Sequence, residues 1–349
     1  MADGVRRFSP LIGIHALPLA DGGSGTLDAL IGARGGEIHR LLVPDAAGRR
    51  RSCRWGMTGS GEAIVEAAEP IALAALPSAA RQPGSLTTRG MGLLILEALG
   101  RRPSSLIVGL GDTATHDCGL GIGALLGYRF LDEYGRGLPP VGASLPRLAA
   151  IDASSVHRPD PSIPIHVYCD VLNALVGPDG AALRFAGQKG ASRATIELLE
   201  LGGMKFLEAV ERDLGVRVGD LPGAGAAGGL GAGLAAFLGG GLEGGADAVL
   251  RAVGFDRALA GADLVITGEG RLDSKTMLGK GVGRIAQLVA AAGKKLLVVV
   301  GRIEGDRAEW EERIGGTVVE LGPLDPTISQ MENLAGGVYK GMELIVAGS

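Results

Sequence analysis

Residues 105–127 read SLIVGLGDTATHDCGLGIGALLG. An apolar run of strand length ends in glycine, passes through a polar loop, and enters a helical pattern of apolar residues. That succession is the unit from which parallel sheets with crossover helices are built. It recurs at 263–268 and 295–301, again apolar runs closed by glycine. Open α/β sheets bind ligands at the carboxyl ends of their strands, so the polar loops behind these glycines are where function is expected.

Working outward, a different texture lies between the first helix and residue 105. Short runs at 37–43, 49–57 and 62–66 alternate with turn residues and predict antiparallel hairpins. A similar texture returns at 128–185, broken by Pro139, Pro140, Pro146, Pro161 and Pro164. The chain has 349 residues, more than the ~100–200 of one typical domain. These observations predict an α/β protein in which a doubly wound parallel-sheet domain (1–35, 85–127 and 255–349) holds a discontinuous second mixed α/β domain (36–84 and 128–254), with a cleft between them.

Hydrophobic residues make up 46% and charged residues 21%, enough apolar material for cores and no case for disorder. The formal charge is −4 with Lys and Arg scattered, which gives no electrostatic footprint for nucleic acid. Anionic ligands must then be met by local cations. The densest basic cluster, Arg49, Arg50, Arg51 and Arg54, follows Gly48 and reads as a solvated hairpin. Cys53, Cys118 and Cys169 form no CxxC pair, which argues against a disulfide framework or a zinc site and suits a reducing cytoplasm. Apolar stretches such as 224–238 are rich in Gly and Ala, so no membrane partner is expected. The 61 glycines cluster without a fixed period, which excludes a solenoid.

Five segments carry the chemistry. Residues 221–231 put Gly225, Gly228 and Gly229 ahead of a helical pattern, where amide groups can cradle phosphate oxygens or where small residues simply let helices pack. Residues 267–273 place Gly268, Glu269 and Asp273 after an apolar run; two carboxylates suit Mg²⁺ or proton abstraction, and Arg271 and Lys280 could balance phosphate charge. Residues 109–121 offer Thr113, Thr115, His116 and Asp117, of which Asp117 is the better candidate for chemistry and His116 reads as a cap or surface group. Asp170 and Asn173 follow another run, with Gln188 and Lys189 shortly after. Asp21, Gly22, Gly23 and Thr26 complete the set of acids, cations and small donors that phosphoryl transfer needs.

These motifs carry a family resemblance. LPLADGGSGT (17–26), CDVLNALVGPDGA (169–181), QKGA (188–191), PGAGAAGGLGAGLAAFLG (222–239) and ITGEGRLDSKTMLGKG (266–281) resemble, in order, the glycerate kinases that produce 2-phosphoglycerate. The resemblance implies two α/β domains, one Rossmann-like or flavodoxin-like, with the active site between them. It implies ATP and Mg²⁺ as cofactors and D-glycerate, a small hydroxy acid, as substrate. Asp273 or Asp170 would activate the hydroxyl, Glu269 with Asp273 would hold metal, and Lys189, Lys280 and Arg271 would neutralise phosphate and carboxylate. A homodimer stays open as the assembly state.

The chain also departs from the family pattern. Members usually carry Glu where Ser24 stands, Gly-Ser at Asp112-Thr113, Asn at His116, Gly at Cys118, Pro at Ala174 and a residue such as Gln at Lys275. They usually begin with a strand and an Asp-Ser-Phe-Lys-Gly loop that precede the segment matching Gly4, and weak turnover is expected of the sequence as it stands. A non-catalytic binding paralogue, or a kinase for another hydroxy acid, are the alternative readings.

Overall fold

Asp45 makes the first hairpin. Its carboxylate accepts the backbone N–H groups of Ala47 and Arg49, both at 2.9 Å, and so closes the turn between β1 (Gly36–Pro44) and β2 (Arg50–Thr58). In this computed structural model, which describes residues 1–157, 159–274, 276–277, 281–323 and 329–347, the two strands pair antiparallel from Gly36↔Thr58 to Pro44↔Arg50. β3 (Glu62–Glu66) continues the antiparallel run beside β2. The predicted hairpins are therefore present. The basic cluster is less free than expected, because Arg49 bonds the Asp45 carboxylate and Arg54 bridges Asp28 and Glu69.

From β3 the sheet changes character. β4 (Ser105–Gly109) pairs parallel with β3. A separate antiparallel pair follows, β5 (Arg129–Leu131) with β6 (Ala150–Asp152). β7 (Ile165–Tyr168) then lies parallel to β4, and β8 (Gly241–Glu243) parallel to β7. The six-stranded order is β1-β2-β3-β4-β7-β8. Every residue of β4 is buried, which explains its unbroken apolar run: a central parallel strand has no wet face. Leu106 and Val108 join Ala63 and Val65 of β3 and Met91, Leu94, Ile95 and Ala98 of helix Arg89–Gly100 in one core.

The remaining strands form a second sheet, all parallel, in the order β11-β10-β9: β9 (Leu264–Leu272), β10 (Lys295–Ile303) and β11 (Thr317–Glu320). Leu297 and Val299 pack with Val319, with Val338 and Met342 of helix Gln330–Ala347, and with Val5 of helix Ala2–Phe8.

The chain divides into a larger unit, Ala20–Val249, and a smaller one made of Met1–Leu19 with Leu250–Ser349. This corrects the expected boundaries. Because β4 is bonded to β3 on one side and β7 on the other, residues 85–127 belong with the hairpins and not with 255–349. Parallel pairing likewise claims β7, which hairpin texture had suggested was antiparallel. Two strand ends also shift: β9 runs through Gly268, Glu269 and Arg271 to Leu272, and β10 through Gly301 to Ile303.

Leu106→Ala in β4 should cost ~2–5 kcal/mol of unfolding free energy, the range for emptying a fully buried leucine site, as read by urea denaturation. A loss under ~1 kcal/mol would contradict the packing described.

Candidate active site

In the larger unit, the loop 21–26 is pressed against the carboxyl end of β4. A Cβ on Gly111 would stand 2.2 Å from the Cα of Gly23, so the two segments can approach this closely only because residue 111 is glycine. The Gly111 N–H donates to Gly22 O at 3.3 Å. Side-chain bonds then fix the loop. Asp21 Oδ1 accepts the Gly23 N–H (3.1 Å), the Thr26 hydroxyl donates to Gly23 O (2.8 Å), and the Ser24 hydroxyl donates to Asp112 Oδ2 (2.8 Å).

Glu66, the last residue of β3, holds the next turn. Its Oε1 accepts the Leu27 N–H at 2.6 Å, at the start of helix Thr26–Arg34. Burial pushes this carboxyl up to about 7, against the pull of the Leu27 N–H; Glu69 and Asp28 add to the rise and Arg54 opposes it.

At the carboxyl end of β7, Asp170 is half-buried, and both its carboxylate oxygens lie 3.1 Å from the Ala246 N–H in the first turn of helix Gly245–Ala252. Asn173, in the same loop, donates through Nδ2 to Ala174 O (3.0 Å), while its buried Oδ1 has no partner.

Sequence reasoning placed Lys189, Thr113 and Thr115 in one site, and the structure brings them together. Lys189 is buried, and its ammonium donates to Thr113 Oγ1 (3.2 Å) and Thr115 O (2.9 Å). Burial lowers its pKa to about 8, with the nearby Asp117 charge pulling the other way. Gln188, beside it, is exposed. His116 is buried too, not at the surface. Burial first, then the Lys189 charge, pushes it down to about 3, so it is neutral at physiological pH, and its Nδ1 has no partner.

Asp117 has a structural task. It accepts from Thr88 N–H (2.8 Å), Thr88 Oγ1 (2.9 Å), Gly119 N–H (3.2 Å) and Gly121 N–H (3.3 Å), joining the starts of helices Arg89–Gly100 and Leu120–Leu125. Burial raises its pKa to about 6 although these bonds pull downward.

The glycines of 222–239 serve close approach. Ala227, Gly228 and Gly229 are left-handed inside the helical span Ala226–Leu238. A Cβ on Gly228 would sit 2.3 Å from Thr115 O. The N–H of Gly225 donates to Asn173 O and that of Gly229 to Gly225 O, so these two donors of the expected phosphate cradle are already engaged.

In the smaller unit the acids gather where β9 ends. The Thr276 hydroxyl donates to Glu269 Oε1 (2.8 Å) and accepts the Asp273 N–H (3.2 Å). Burial raises the Glu269 pKa, Thr276 lowers it, and the Asp273 charge raises it further. Arg271 is exposed and paired with Glu304 at 2.9 Å. Gly268 lies against Val299 O, where a Cβ would be only 2.0 Å away. Lys280 and Lys275 lie outside the described residues.

A family model described as the glycerate kinase family matches residues 1–338. This chain belongs to the glycerate kinase family. The glycerate kinase of Bacillus subtilis strain 168 is 39% identical over 304 residues, 87% of this chain and 80% of that protein. Glycerate 2-kinase of Escherichia coli K12 is 38% identical over the same shares. A crystal structure assigned to glycerate kinase 2 of Salmonella typhimurium LT2 matches with a TM-score of 0.82 and 35% identity, covering 99% of this chain and 92% of that one. The α/β architecture is thus that of a kinase family.

Sequence reasoning gave Glu66 no role and noted Asp112 only as a departure from the family pattern. Glu66 closes an apolar run as other candidate acids do, and that was its only signal. Asp112 accepts the Ser24 hydroxyl, a partner 88 residues away in the chain that no local sequence signal points to.

Gly228→Val should lower the melting temperature by several degrees, because a side chain meets the Thr115 carbonyl. Glu66→Gln tests the buried acid. With its pKa raised, Glu66 binds a proton more readily in the folded state, so its contribution is full below about 4.5 and is lost as pH rises through about 7. Wild-type stability should therefore fall relative to Glu66→Gln between those pH values in a melting series, and parallel curves would contradict the burial.

Proposed function

We propose that the chain transfers the terminal phosphoryl group of ATP to a hydroxyl of D-glycerate, giving 2-phosphoglycerate. The observation that carries this reading is the 38% identity to a glycerate 2-kinase across 87% of the chain. The cytoplasm is the proposed compartment, in keeping with three buried cysteines, Cys53, Cys118 and Cys169, that are not joined by disulfides. Among the described residues no helix is long and apolar enough to cross a membrane.

Mg²⁺ is held in kinases by one or two carboxylates together with substrate phosphates, not by an all-protein cage. Glu269 and Asp273 fit that demand: the Thr276 hydroxyl donates to the Glu269 carboxylate and accepts the Asp273 backbone N–H, and the Asp273 charge is near enough to raise the Glu269 pKa. Bound there, the ion would offset charge on the phosphate oxygens. Glu269 is the proposed metal ligand. Asp273 is the proposed acceptor of the substrate's hydroxyl proton, because Asp170 already directs both oxygens at the Ala246 amide and so suits a positioning role. Lys189 contributes fixed positive charge beneath Thr113, whose hydroxyl it orients.

ADP release with D-glycerate, followed by phosphorus NMR of the product, tests the reaction and the position phosphorylated. Binding of ATP or glycerate without ADP release would mark a binding paralogue. Asp273→Asn should lower kcat roughly a hundredfold or more with the fold intact, as for loss of a positioned catalytic group. An unchanged rate would remove Asp273 from the chemistry.

A further inference from the structure

Asp112 stands in a backbone conformation that suits another residue. Its φ is +60°, in the left-handed region where glycine is free and an aspartate is tolerated at a cost. The surroundings hold it there. Its carbonyl accepts the Leu73 N–H at 2.9 Å, and the next residue, Thr113, bridges to Ala72 and accepts from Lys189. With the backbone fixed on that side, the carboxylate reaches across to the loop 21–26 and takes the Ser24 hydroxyl at 2.8 Å. Both residues are exposed, and an exposed polar bond adds little to stability. A strained backbone maintained for a bond of small stabilising value is an arrangement that folding alone does not explain.

We propose that Asp112 is a positioning residue, which fixes the Asp21–Thr26 loop through Ser24 in the form that receives substrate. The inference rests on the kinase reading for its kinetic consequence but not for the tether itself. Gly111 and Gly23 bring the two loops to contact distance, and the Ser24–Asp112 bond then sets which way the loop's side chains turn. The loop is also held from below by Glu66 at the Leu27 amide, so Asp112 acts on its exposed half alone.

Asp112→Gly is the decisive variant, since it removes the carboxylate and relieves the strain together. The melting temperature should hold or rise, while kcat/KM for ADP formation with D-glycerate falls at least tenfold and the amides of 22–26 exchange hydrogen faster. Ser24→Ala should do the same, the double variant should be no worse than either single one, and Asp112→Asn, which keeps an acceptor and tolerates the left-handed region, should recover most of the loss. Wild-type exchange at 22–26 in Asp112→Gly, or losses that add in the double variant, would overturn the proposal. If the wild type shows no turnover, the kinase reading fails, and the exchange measurement still decides whether Asp112 holds the loop.

Discussion

Two backbones meet without side chains where Gly23 lies on Gly111 and the Gly22 carbonyl lies on Gly109. Much of the larger unit's polar geometry depends on that contact. It sets the loop 21–26 over the carboxyl end of β4, within reach of Glu66 on one side and Asp112 on the other. A similar device sits nearby: the 225–229 segment approaches the Thr115 and Asn173 loops through glycines. Small residues are concentrated here because polar loops can only be stacked this closely when nothing stands between the main chains.

The charge buried among these loops is matched with care. Lys189 and Asp117 lie on neighbouring segments and the Asp117 charge favours the ionised lysine, while four donors serve Asp117 and two acceptors serve Lys189. An unpaired charge at such depth would be costly, and satisfied ones hold a unique arrangement. His116, directly before Asp117 in the chain, stays neutral because burial disfavours its charged form and the Lys189 charge opposes a second cation.

Much of the fold was legible in the sequence. Short runs between turn residues gave the hairpins, and unbroken apolar runs gave β4, β9 and β10. Which strand pairs with which was not legible, because a run such as 105–109 looks the same beside β3 as beside β9; hence the misassigned boundaries. Site residues show the same limit. Lys189 and Thr113 could be nominated by type, but Glu66 and Asp112 gain their meaning from Leu27 and Ser24, which are distant in the chain. Glycines in 222–239 suit a phosphate cradle and close packing equally in sequence, and the amides of Gly225 and Gly229 are engaged by Asn173 and by the turn itself, which no spacing announces.

The division of the chain has a consequence for biosynthesis. Helix Ala2–Phe8 packs on helix Gln330–Ala347, with Val5 against Val338 and Met342, yet most of the chain separates them. Domains tend to fold as units, N-terminal parts first, as they leave the ribosome. Here the larger unit has strands β1 to β8 before β9 is translated, while helix Ala2–Phe8 must wait for helix Gln330–Ala347 to emerge. Its apolar side therefore stays uncovered by that helix until residues 330–347 have been translated.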